Sequence, residues 1–124
     1  ASEAEAIHAR RLMKVLGAIG TTEENLASGI GGETYEYTEM YPGFLKEAQA
    51  EGIKDAETAF YYALRAEQVH ANLYRAALEA VRNGKDLSAG KVFLCPVCGN
   101  IEIGEAPSRC PICSVPGHMW RVVE

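Results

Sequence analysis

The sequence predicts a mainly α protein, a bundle to which this chain contributes three helices, carrying a small β unit held together by metal. Three observations predict it. Up to Asn83 the chain is rich in Ala, Glu, Leu and Arg, has a single proline and repeats its apolar residues at helical spacing. Gly84 ends that pattern. From Lys91 to Glu124 there follow four of the five prolines, all four cysteines and short alternating apolar stretches. With 124 residues and a formal net charge of -5, the chain has room for one modest domain with a smaller appendage. The acidic balance argues against nucleic acid as a partner. No run approaches the ~18 apolar residues of a membrane span, and the first residues lack the basic and then apolar pattern of a secretory signal, so a cytoplasmic protein with no membrane partner is expected.

The first helix is expected from about Ser2 to Ala18, fading at Gly17 and Gly20. Thr21 and Glu24 have capping-box spacing and open the second helix, which ends at Gly52. Pro42 falls inside it without a backbone N–H, so a kink or break is expected near Tyr41. The third helix covers about Asp55 to Arg82 and stops at Asn83-Gly84. This gives a helical domain over 1–84, a link over 85–90 and a cysteine-rich domain over 91–124. The last is below the size at which an apolar core suffices, so metal would supply much of its folding free energy.

Cys95, Cys98, Cys110 and Cys113 form two C-x-x-C pairs separated by eleven residues. A disulfide framework belongs to an oxidising compartment, whereas this spacing in a chain without an export signal favours four thiolates on one ion. Trp120, Phe93 and Val122 are the expected small core over that site. His118, Arg10, Arg11 and Lys14 read as surface.

The helical seams carry charge. Steps of four and three along the third helix pass through Ala56, Phe60, Ala63, Glu67, His70, Tyr74, Ala77 and Val81, so Glu67 and His70 occupy positions that face neighbouring helices. On the first helix Glu5 and His8 precede Leu12, Val15 and Ile19; on the second, Glu33 and Glu36 lie between Leu26 and Met40. Hairpin turns at Gly52 and near Thr21 would bring the three pairs to about the same level. Buried carboxylates without partners are costly, and two divalent cations would balance their charge. Glu-x-x-His on two helices with Glu from others is a pattern already described for di-iron carboxylate bundles. The competing reading is a set of solvated charges, with Ser2 and Glu5 a capping box.

Nearly the whole chain resembles the rubrerythrins. The resemblance rests on Gly32-Glu33-Thr34-Tyr35-Glu36-Tyr37-Thr38-Glu39-Met40-Tyr41-Pro42, on Ala66-Glu67-Gln68-Val69-His70 and on the two Cys-Pro-x-Cys knuckles. It implies a ferritin-like four-helix bundle with a rubredoxin-like domain. Glu5 and Glu67 would bridge two non-haem irons, Glu33 and His70 would complete one, and Glu36 and His8 would alternate on the other. A third iron would sit in the four-cysteine site, although the spacing alone suits zinc equally. Tyr41 matches a family tyrosine that hydrogen-bonds a ligand carboxylate; packing beside Pro42 is its other reading. The implied activity is reduction of hydrogen peroxide to water in oxidative-stress protection, with electrons from reduced rubredoxin or a similar donor. The implied assembly is a head-to-tail homodimer, one chain's sulfur site near the other's di-iron site, with helix exchange suggested by the short link near Thr21. A ferroxidase or iron-storage role and a zinc-ribbon interaction module are the alternatives. Two departures stand out. The family's preceding helix, with one further carboxylate, falls before Ala1, and Ser114 stands where such knuckles commonly have glycine, which tolerates positive φ.

Overall fold

The computed structural model describes residues 1–87 and 90–123. Residues 88 and 89 of the expected link, and Glu124, lie outside the described residues. Helix α1 (Ser2–Val15) is followed by α2 (Thr22–Tyr35), a π-helical turn (Glu36–Met40), α3 (Tyr41–Glu51) and α4 (Lys54–Arg82). The capping box forms: the Glu24 carboxylate accepts from the Thr21 N–H at 2.8 Å and the Thr21 hydroxyl accepts from the Glu24 N–H at 3.3 Å. Ser2 makes no such box, because the cap position is Ala1.

The second helix stays helical without interruption through α2, the π turn and α3. Pro42 cannot donate, and its ring would meet the carbonyl four residues back in a regular helix. The π turn absorbs this, with the Tyr41 N–H bonded to the Glu36 carbonyl five residues earlier. The expected break near Tyr41 is therefore a widened turn just before it. Gly52, at φ +72°, ends α3, and α4 returns along α2 and α3.

Two expectations are corrected here. Helix α1 does not fold back on α2: it buries no residue and packs against no other element among the described residues. Its Leu12, Val15 and Leu16 are 63%, 85% and 79% exposed. On α4 the buried residues are Ala66, Ala71 and Leu78 rather than the Glu67–His70 seam, which is half-buried. Both follow from the same cause, since the seam faces a bundle whose α1 layer is absent from this chain's own packing.

The remainder is a three-stranded antiparallel sheet of β1 (Lys91–Leu94), β2 (Ile101–Gly104) and β3 (Arg121–Val123), in the order β2-β1-β3. Its core is Cys95, Cys98, Cys110 and Trp120, with Phe93 and Tyr62 of α4 packed against it. Val122 does not join that core. It lies on a three-residue edge strand opposite Phe93 and is 44% exposed.

Candidate metal centres

Glu33 of α2 and Glu67 and His70 of α4 each place a donor atom within 4.8 Å of the others. Their spacing puts Glu67 and His70 on one face of α4, and α2 sets Glu33 opposite. His70 Nδ1 lies 2.7 Å from Glu67 Oε2 and 3.6 Å from Glu33 Oε2. His70 Nε2 lies 2.9 Å from the Gly99 carbonyl oxygen. A carbonyl only accepts, so Nε2 carries a hydrogen and donates to it, and Nδ1 is the ring nitrogen turned toward the two carboxylates. Glu33 Oε2 is itself buried without a hydrogen-bond partner. Two carboxylate oxygens and an imidazole nitrogen brought this close could hold a metal ion, and oxygen and imidazole donors suit iron. Burial, and then the Glu67 carboxylate, raise the Glu33 carboxyl above its ordinary range, with His70 only partly offsetting them.

Tyr41 stands beside these acids. Burial first, and then the charges of Glu67, Glu36 and Glu33, push its phenol above the ordinary value, so it keeps its proton. Its ring packs at 6.2 Å from Phe44 and 6.4 Å from Phe60, which also satisfies the packing reading. Glu36, the first residue of the π turn, is half-buried and acts on Tyr41, but lies outside the tight three-residue group. Glu5 and His8 pair with each other at 3.4 Å on α1, their side chains 75% and 64% exposed. Within this chain they do not reach the other donors, because α1 stands off the bundle.

The four cysteines form the second group, and all are free thiols. Cys95 and Cys113 sulfurs are 3.6 Å apart, and those of Cys98 and Cys110 3.5 Å. These separations exclude disulfides, whose sulfurs lie ~2 Å apart. They approach the ~3.8 Å edge of a tetrahedron with bonds of ~2.3 Å. Burial pushes the Cys98 and Cys113 thiols up. Burial also opposes ionisation of Cys95, but backbone N–H groups of Cys98 and Val97 outweigh it and bring Cys95 down. Gly99, at φ +80°, and Ser114, at φ +64°, occupy the same place in the two knuckles. The Ser114 N–H still reaches the Cys110 carbonyl at 2.9 Å, so the serine preserves the turn at the cost of a left-handed backbone.

Sequence reasoning missed the Gly99 carbonyl, which accepts from His70 Nε2, and Tyr62, which abuts the sulfur cluster. A backbone oxygen carries no residue signature. Tyr62 lies off the Glu67–His70 seam, on a face of α4 that turns toward the cysteine-rich unit.

Two family models cover the chain: "Rubrerythrin" over residues 1–78 and "Rubrerythrin, rubredoxin-like domain" over residues 93–120. Rubrerythrin-2 of Clostridium acetobutylicum is 43% identical over 104 residues, covering 82% of this chain and 56% of that protein. Nigerythrin of Nitratidesulfovibrio vulgaris is 46% identical over 92 residues, 74% of this chain and 44% of that one. The solved structure of fully reduced, all-ferrous nigerythrin matches with a TM-score of 0.75 at 40% identity, over 84% of this chain and 50% of its own. The chain thus spans about half the length of these relatives. Two donor groups set in a ferritin-like helical unit and a rubredoxin-like unit, together with a family match that runs through α1, α2 and α4, establish that the chain belongs to the rubrerythrin family.

Proposed function

We propose that the chain provides the di-iron and electron-delivery parts of a non-haem peroxidase that reduces hydrogen peroxide to water. The carrying observation is the His70 imidazole, which faces Glu33 and Glu67 through Nδ1 and the cysteine knuckle through Nε2–H. One ring joins the two donor groups. Iron in both would supply electrons singly from the sulfur site and in a pair from the carboxylate site, matching the two that peroxide takes up. Zinc in the sulfur site would hold the fold but pass no electron.

The protein residues divide the remaining work. Glu33 and His70 would hold one ion, Glu67 would be shared with a second, and Glu36 would serve that second ion. Glu5 and His8 complete the pair from α1 of another copy, in a homodimer that exchanges this helix. The exposed apolar face of α1 and the unfilled side of the Glu67–His70 seam support that assembly. Tyr41 keeps its phenolic proton next to three carboxylates and would donate it in a hydrogen bond to one of them, with its ring packed against Phe44 and Phe60. The electron donor is reduced rubredoxin or a similar protein, and the four thiols suit a reducing, cytoplasmic setting. No described helix is long and apolar enough to cross a membrane.

Anaerobic stopped-flow tests the reading. The reduced, iron-loaded protein mixed with peroxide is expected to reoxidise both centres much faster than free ferrous iron. Equal rates would overturn the peroxidase reading, and dioxygen-driven accumulation of ferric iron without peroxide turnover would favour a ferroxidase.

A further inference from the structure

Two buried polar atoms of the cysteine-rich unit find no hydrogen-bond partner among the described residues: Asn100 Oδ1 and Trp120 Nε1. Asn100 is wholly buried and Trp120 is 8% exposed. Sheet register puts them together. On β1, Leu94 faces Ile101 of β2 on one side and Arg121 of β3 on the other, so Cys95, one residue on, lies between Asn100 and Trp120. The Cys95 N–H donates to the Asn100 carbonyl at 2.9 Å, as that pairing requires, and Trp120 keeps extended backbone angles. Residues opposite one another on adjacent strands point to the same face, so both side chains flank the Cys95 side chain. The amide orientation is fixed as well. Asn100 Nδ2 lies 3.2 Å from Glu102 Oε1, and a carboxylate only accepts, so Oδ1 is the end left over. The knuckle turn itself does not require this residue. In the second knuckle the Cys110 N–H bonds to the Val115 carbonyl at 2.9 Å in the same way, and the side chain there is apolar.

We propose that Asn100 and Trp120 bind one water molecule beside the Cys95 sulfur, and that this water sets how readily the four-cysteine site takes up an electron. The pair offers one donor, the indole N–H, and one acceptor, the amide oxygen, which do not reach each other. An anion would find a single donor among four thiolates. A cation would meet the indole N–H. A small neutral molecule that both accepts and donates suits the two atoms, and water is the smallest. It accepts from Trp120 and donates one hydrogen to Asn100, which leaves its second hydrogen for the sulfur between them. Three partners are usual for a buried water. With iron bound, reduction makes the site one charge more negative, so an O–H donor at sulfur favours the reduced form and raises the potential. The water thereby adds to the backbone N–H groups of Val97 and Cys98 that already bond Cys95. This inference goes beyond the peroxidase reading and holds whatever the carboxylate site reduces.

The full chain tests this in two metal forms. In a crystal structure of the zinc-loaded protein that resolves ordered water, one oxygen is expected within hydrogen-bond distance of both Asn100 Oδ1 and Trp120 Nε1. A direct bond between the two side chains, or a dry gap, would overturn the proposal. In the iron-loaded protein, Asn100→Leu removes the acceptor at nearly constant volume and Trp120→Phe removes the donor. Each should shift the one-electron equilibrium of the sulfur site about three- to tenfold toward the oxidised form, ~30–60 mV in a spectroelectrochemical titration. The visible thiolate-to-iron bands should persist, which reports an intact site. Combined, the two substitutions should lower the potential no further than either alone, since one water serves both. Unchanged potentials, or shifts that add, would mean that the two side chains only pack. If Asn100→Leu fails to load metal, Trp120→Phe and the crystal structure carry the test.

Discussion

Glu33 concentrates the electrostatic cost of the carboxylate site in one group. Its carboxyl is raised by burial and by Glu67, so the folded metal-free protein holds this proton more tightly than the unfolded chain. That preference contributes stability fully below the ordinary carboxylate range and loses it as pH rises through the raised value. The thermal midpoint of metal-free protein should therefore fall over that window, Glu33→Gln should flatten the fall, and added ferrous ion or zinc should abolish it. An unchanged midpoint across the window would show that Glu33 is not under this strain. His8 presents the opposite case, its side chain largely exposed on α1 beside Glu5. His8→Ala should leave the visible spectrum of the tetrathiolate site intact and slow peroxide turnover by about 10- to 100-fold, the usual consequence of losing a ligand-shell group; an unchanged rate would remove it from the site. At this scale Glu33, Glu67 and His70 were legible because three charged groups replaced apolar residues on helical seams. The Gly99 carbonyl was not, because only the fold brings it to His70.

The π turn shows what an element contributes beyond its residues. One extra residue between Glu36 and Tyr41 lets the helix pass Pro42 and keeps Tyr41 beside the acids. Deleting Thr38 should restore regular helical bonding upstream of Pro42 and rotate everything beyond it by ~100° relative to Glu33. The deletion is expected to retain far-ultraviolet helix content while weakening iron binding at the carboxylate site by at least about tenfold. Retained affinity would mean that the turn only accommodates proline. Pro42 made a disturbance legible in the sequence. Its form was not, because a proline marks a missing donor without saying whether the chain kinks, breaks or widens.

Across the whole molecule, both metal groups and the two-part organisation were legible, since each rests on spacing along one segment. The position of α1 was not, because helical periodicity says which face seeks a partner and leaves the partner unnamed. The link from Val15 to Thr22 can reach ~25 Å at full extension. Laying α1 parallel to α2 with His8 level with Glu33 would need ~27 Å along the axis and a further ~10 Å sideways. That placement is closed to this chain, and the antiparallel one is not adopted. In the proposed homodimer, donors on α1 would meet those on α2 and α4 through a second copy. Replacing Leu12 and Val15 by Lys, on the exposed seam of α1, should convert a sedimenting dimer into a monomer while leaving helix content and the tetrathiolate site nearly unchanged. Iron at the carboxylate site should bind at least about tenfold more weakly, because the variant removes access to Glu5 and His8 without touching either. If the wild-type chain already sediments as a monomer and loads two irons beside Glu67, α1 must close on its own bundle in solution, and helix exchange is wrong.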